Sequence, residues 1–173
     1  MTSPADEHQP VADRLLAGNA VFAASFDAGD LPVAPGLHLA VVACMDSRMD
    51  IFEILGLGNG EAHIIRNAGG VVTDDVVRSL CLSQRALGTR EIVLVHHTDC
   101  GLQKVSDDSF RAELVEELGV APPWALDAFS DPYADVRQSI KRLELTPFVP
   151  HTDHVRGFVY DVSTGELHDV AGD

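Results

Sequence analysis

Three side chains able to bind a soft metal ion sit at the ends of apolar runs. Cys44 closes LHLAVVAC, and His97 and Cys100 close EIVLVHHTDC in an H-x-x-C spacing. Two thiolates and one imidazole form a donor set suited to Zn2+, which is borderline soft and takes S and N ligands tetrahedrally. Just beyond the first thiol stand Asp46 and Arg48, two residues apart. In an extended stretch such residues project to the same side, so carboxylate and guanidinium can pair. An Arg fork would keep the carboxylate ionised and turned from the metal. The fourth coordination position then falls either to water, as in catalytic zinc sites, or to Asp46 itself, and the residue types leave both open. With water there, the expected chemistry is attack by an activated hydroxide.

These residues can meet only if the runs that carry them are neighbours. Leu37 to Ala43 is apolar on both faces except at His38, as a fully buried strand requires, and Glu91 to Val95 reads the same way. Between them, AHIIRNAGG reads as another strand. Thr73-Asp74-Asp75 is a helix start, with a hydroxyl cap followed by acidic residues at the dipole's positive end, and Gly88 is the stop. Strands linked through helices imply a parallel sheet with right-handed crossovers. The carboxyl edge of such a sheet is where open α/β folds place their ligands. Ile51 to Leu55 reads as a helical turn. Helices are predicted over Ser106 to Leu118 and over Ala134 to Leu145. VRGFVYDVSTGELHDV alternates around Ser163-Thr164-Gly165 and predicts a strand with an antiparallel hairpin partner at the sheet edge. The expected fold class is α/β, a single domain with a central, mostly parallel sheet flanked by helices. Val11 to Phe26 predicts an amphipathic helix before it, which divides the chain into an N-terminal helical arm, 1–35, and an α/β domain, 36–173.

The chain has 173 residues, 46% hydrophobic and 23% charged, which is ordinary for one globular domain. Its 12 Lys and Arg against 27 Asp and Glu leave a net charge of −15, which repels nucleic acid and anionic lipid. MTSPADEHQP lacks the basic and apolar regions of a secretion signal, and no run of about 18 apolar residues occurs. A cytoplasmic protein with no membrane partner is the expectation. Three cysteines without such a signal argue against a disulfide framework. Cys81, between Leu80 and Leu82 in mid-helix, reads as a buried structural thiol.

Taken together, CMDSR (Cys44 to Arg48), RNAGG (Arg66 to Gly70) and HHTDCG (His96 to Gly101) resemble the beta-class carbonic anhydrases, with agreement from about Leu37 to Gly101. The resemblance implies Cys44, His97 and Cys100 as ligands of a zinc cofactor, with Asp46 and Arg48 as a catalytic dyad. It also implies reversible hydration of CO2 to bicarbonate and a proton, and a homodimer, often a homotetramer, in which the N-terminal helix reaches across to its partner. Two thiolates offset much of the metal's formal charge, so activity is expected to be greatest on the alkaline side.

The chain departs from that pattern in places. LPVAPGLHL holds no Gln before the first strand, where most family members carry one that lines the pocket, and Met45 and His96 replace the usual Ser and Gly. Hydrolysis of carbonyl sulfide or carbon disulfide, similar linear molecules used by relatives with the same ligands, is therefore the second reading. A non-catalytic zinc-binding regulatory module, closed by Asp46, is the third. No G-x-G-x-x-G follows the first strand, which excludes a dinucleotide fold of that type. Asn67, Gly69 and Gly70 read as a tight turn. Asp99 either caps the next segment or holds an Arg. His96 is expected to pack on the face opposite His97, and His151 and His154 read as solvent-facing loop residues rather than a second metal site.

Overall fold

The computed structural model describes residues 10–171. The chain separates into one unit up to Leu31 and a second from Pro32 onward. In the first, helix α1 spans Ala12–Ala23, ending short of the predicted Phe26. Its apolar side chains Leu15, Leu16, Val21 and Phe22 are exposed, so no face of this helix is buried. Residues 1–9 of the predicted arm, including most of the segment read for a signal, lie outside the described residues.

The second unit follows a β-α-β order: β1 Leu39–Cys44, α2 Ile51–Leu55, β2 Ala62–Asn67, α3 Asp74–Leu87, β3 Glu91–His97, α4 Asp107–Leu118, α5 Pro132–Leu145, β4 Val155–Tyr160 and β5 Leu167–Asp169. The sheet runs β2-β1-β3-β4-β5, parallel except for the β4/β5 pair. This is the α/β architecture with an antiparallel C-terminal edge that the patterning predicts. Strand β1 is an interior strand, paired with β2 on one side and β3 on the other. Ala40, Val41, Val42 and Ala43 are fully buried, as the two-faced apolar run requires.

Alternation along the strands divides the core. Ala40, Val42, Ile92 and Leu94 pack with Val76 and Leu80 of α3 and Val136 and Leu143 of α5. On the other face Val41, Ala43 and Val95 pack with Met49, Ile51 and Leu102. Helix α3 is placed by the punctuation legible in the sequence. The Thr73 hydroxyl accepts from Val76 N–H, and Gly88 is left-handed at φ 76°.

Several boundaries move for local reasons. His38 adopts φ 52°, which an extended residue cannot. Strand β1 accordingly begins at Leu39 rather than Leu37. Strand β3 continues through His96 and His97, because β4 pairs with both. Helix α5 begins at Pro132, ahead of the predicted Ala134, since Asp131 caps it and Pro tolerates the first helical position. Cys81 is half-buried rather than buried: the packed stripe of α3 passes through Val76, Leu80, Ser83 and Gln84.

Candidate metal centre

The adjacency of β1 and β3 brings the predicted ligands together. Ala43 stands in register with Val95, so Cys44 and His97 leave the same edge of the sheet, and the turn Thr98-Asp99 returns Cys100 to them. Donor atoms of Cys44, His97 and Cys100 all lie within 4.8 Å of one another, and all three residues are buried. The two sulfurs are 4.0 Å apart. Two thiolates bound to one tetrahedral zinc, each at about 2.3 Å, need a separation close to that.

Protonation and orientation also suit a cation. His97 Nδ1–H donates to the Thr98 carbonyl at 2.8 Å. That bond leaves Nε2 with its lone pair toward the sulfurs. The Nε2 atom is fully buried and has no hydrogen-bond partner. A buried acceptor without a donor is costly, and a metal in the cluster removes the cost. Between the sulfurs, a shared hydrogen bond pulls the Cys44 pKa down and pushes that of Cys100 up, so one thiolate is already favoured there. These residues fit zinc in number, type and spacing.

Beneath the cluster the backbone is tightly nested. A short 3-10 turn, Ala68–Gly70, follows β2, and a Cβ on Gly70 would sit 2.8 Å from Cys44 N and 2.9 Å from Ala43 C. Gly70 also has φ 74°, so only glycine suits this position. The predicted tight turn is thus the floor under Cys44.

Asp46 and Arg48 do pair, but through a turn rather than an extended strand. Strand β1 ends at Cys44, and Asp46 Oδ1 accepts from the Arg48 backbone N–H at 2.9 Å. The guanidinium then grips both oxygens, Nε to Oδ1 at 2.9 Å and Nη2 to Oδ2 at 2.7 Å. Oδ1 therefore has both lone pairs engaged, while Oδ2 keeps one free. Oδ2 lies 3.7 Å from His97 Nε2, facing the cluster. The Arg48 guanidinium holds the Asp46 pKa far below the ordinary carboxylate range, so the group stays ionised.

Further arginine and lysine contacts were not legible in the motif. Arg66, next to last in β2, donates from Nε to the Cys44 carbonyl at 2.9 Å and from Nη2 to the Asp46 carbonyl at 2.7 Å, bracing the turn between Cys44 and Asp46. An Arg directly after the apolar pair Ile64-Ile65 was the available signal. Arg48 Nη1 reaches Asp99 Oδ2 at 2.9 Å, and Lys104 Nζ lies 2.7 Å from Asp99 Oδ1. Of the two roles open to Asp99, holding an Arg is the one observed.

The remaining histidines separate from the site. His96 is fully buried on the other face, its Nε2 2.7 Å from Asp135 Oδ2 of α5 and its ring against Phe129. His151 faces Arg90 and His154 faces Asp153, and among the described residues Cys44, His97 and Cys100 form the only metal-competent cluster.

The α/β sheet thus carries a Cys-His-Cys cluster and an ionised Asp-Arg pair at its carboxyl edge. Residues 39–144 match the carbonic anhydrase family model. The chain is 52% identical over 160 residues to Beta-carbonic anhydrase 1 of Mycobacterium tuberculosis, spanning 92% of this chain and 98% of that protein. Its fold superimposes on the crystal structure of carbonic anhydrase from Streptococcus mutans with a TM-score of 0.88 at 40% identity, covering 94% of this chain and 99% of that one. A carbon disulfide hydrolase of Acidianus is 33% identical over 155 residues, 75% of this chain and 76% of that protein. The chain belongs to the beta-class carbonic anhydrase family.

Proposed function

We propose that this chain catalyses the reversible hydration of CO2 to bicarbonate and a proton, with zinc held by Cys44, His97 and Cys100 and with Asp46 and Arg48 as the catalytic dyad. The single observation carrying this reading is the free lone pair on Asp46 Oδ2 beside a three-donor cluster, in a carboxylate already gripped on both oxygens by Arg48. Zinc, when bound, supplies a Lewis acid that makes hydroxide available near neutrality. The chain's own residues do the rest. Asp46 Oδ2 accepts a hydrogen bond from the reacting water or hydroxide and turns its nucleophilic lone pair toward CO2, a role open only to the ionised carboxylate. Arg48 fixes that carboxylate, and the bond from His97 Nδ1–H to Thr98 O fixes the ligand tautomer.

The grip of Arg48 also argues against Asp46 as a permanent fourth ligand, and so against a non-catalytic module. Carbon disulfide hydrolysis is the weaker alternative, because the relatives named for it share less sequence and less length than the mycobacterial anhydrase. The exposed apolar residues of α1 support a homodimer in which the N-terminal helical arm is the contact; assembly into a tetramer is a further step on the same reading. Among the described residues no helix is long and apolar enough to cross a membrane. A cytoplasmic site fits two cysteines that must stay reduced to serve as ligands. Metal analysis with stopped-flow CO2 hydration at pH 7 and pH 9, beside carbonyl sulfide and carbon disulfide, tests the reading. One zinc per chain and CO2 turnover that is faster at pH 9 support it; zinc without CO2 turnover at either pH overturns it.

A further inference from the structure

We propose that Asp99 and Lys104 are positioning residues for the Asp46-Arg48 dyad: Lys104 fixes one oxygen of Asp99, and Asp99 in turn locks the plane of the Arg48 guanidinium. The inference rests on the catalytic reading of that dyad, and it concerns two residues outside it.

The geometry forms a chain from the surface to the cluster. Arg48 spends its donors in two directions, Nε and Nη2 on Asp46 and Nη1 and Nη2 on Asp99. A guanidinium gripped by Asp46 alone could swing together with it, because both belong to one turn at the end of β1. Asp99 belongs to the turn that follows β3, between the ligands His97 and Cys100. Arg48 thus ties together the two strand ends that carry the cluster, and its plane is defined by anchors on both sides.

Asp99 is built for this contact. It adopts φ 56°, a left-handed conformation that Asp and Asn tolerate far better than other side chains with a Cβ. Besides its side-chain contact, its backbone carbonyl accepts from Arg48 Nη2 at 3.1 Å. Lys104 closes the short 3-10 turn Gly101–Lys104 and takes Asp99 Oδ1, which leaves Oδ2 for Arg48 Nη1. Exposed pairs of this kind contribute little to stability, because water screens them and ordering two long side chains costs entropy. Lys104 and Asp99 are 64% and 53% exposed, so the benefit lies in orientation rather than in holding the fold. Asp46 Oδ2 must present its one free lone pair in a fixed direction, and misplacement of a reacting group by about 1 Å can cost up to roughly a hundredfold in rate.

The test uses the zinc-loaded full-length protein with 15N-labelled arginine, the Arg48 side-chain signals being assigned from an Arg48→Lys variant. In the wild type the Arg48 Nη groups should rotate slowly and give separate resonances. In Asp99→Asn, chosen because Asn tolerates φ > 0, rotation should accelerate until those resonances merge, and kcat/KM for CO2 should fall by about threefold to tenfold with zinc content unchanged. Lys104→Met should move both readouts the same way by less, and Lys104→Arg should restore them. Arg48 rotation in Asp99→Asn within twofold of wild type, or a rate loss without faster rotation, overturns the proposal. If the wild type immobilises Arg48 yet does not hydrate CO2, the catalytic reading fails and the clamp stands.

Discussion

Replacing Asp46 by Asn keeps the shape of the side chain and removes one property, the ability to accept hydrogen bonds on both sides. In one orientation the amide nitrogen occupies the Oδ2 position, where it meets Arg48 Nη2 at a site that now spans 2.7 Å and offers the cluster a donor instead of a lone pair. In the other it faces Arg48 N and Nε, both 2.9 Å from Oδ1, as donor against donors. Either way at least one charge-assisted hydrogen bond is lost. Arg48 is 44% and Asp46 18% exposed, so solvent screening keeps the stability cost small and the effect falls on turnover. The second orientation retains a weaker, uncharged acceptor near the cluster, so turnover should fall without vanishing. Loss of a positioned acid-base group costs about 10²- to 10⁴-fold, and we expect kcat/KM to fall by at least about 10²-fold, or about 2.7 kcal/mol in the barrier. The assay is stopped-flow CO2 hydration on samples matched for zinc by elemental analysis. An Asp46→Asn protein with full zinc and a rate within threefold of wild type would refute the orienting role.

Other perturbations reach different parts of the molecule. Gly70→Ala drives a Cβ into the Cys44 and Ala43 backbone at a positive φ, and thermal unfolding should show a loss of about 2–4 kcal/mol. Cys44→Ala or His97→Ala leaves two donors in place of three, and elemental analysis after dialysis should find zinc well below one per chain. Asp135→Ala strips the buried His96 of its partner and should cost about 1–3 kcal/mol in urea unfolding while zinc content stays unchanged. Asp127 has its pKa raised by burial and by acidic neighbours including Asp107 and Asp135. The folded chain therefore holds that proton to higher pH than the unfolded chain. Its contribution is complete below the unfolded Asp pKa and is lost as pH rises through the folded value. Asp127→Asn should raise the urea midpoint at pH 7.5 and raise it less at pH 4.5.

What could be read from the sequence was local or periodic. Thr73 and Gly88 announce the ends of α3 because a cap and a left-handed stop depend on neighbouring residues alone. The buried strands were legible because β1 and β3 have almost no polar face, and their kinship as neighbours followed from the soft ligands at both ends. His38 was not legible: its left-handed backbone sits among hydrogen bonds from Arg90 and Glu91, distant in sequence. For the same reason β3 extends through two histidines, since β4 supplies the partners. In the site, the pairing of Asp46 with Arg48 was foreseen but its cause was not, because a side-chain-to-backbone turn replaces strand alternation. The bracing by Arg66 and the approach of Lys104 to Asp99 depend on where separate elements finish, which no spacing records. Cys81 was misplaced because three successive apolar residues on a helix cannot all face the core.

The central claim is that Cys44, His97 and Cys100 converge on one zinc that keeps an exchangeable position beside Asp46. A high-resolution crystal structure of the zinc-loaded protein, with data collected across the zinc absorption edge, tests it most directly. The expected result is a single anomalous peak with two sulfurs at about 2.3 Å, one nitrogen at about 2.0–2.1 Å and a water completing the tetrahedron, Asp46 still forked by Arg48. A peak elsewhere, or a zinc whose fourth ligand is the Asp46 carboxylate at every pH where CO2 is turned over, would contradict it.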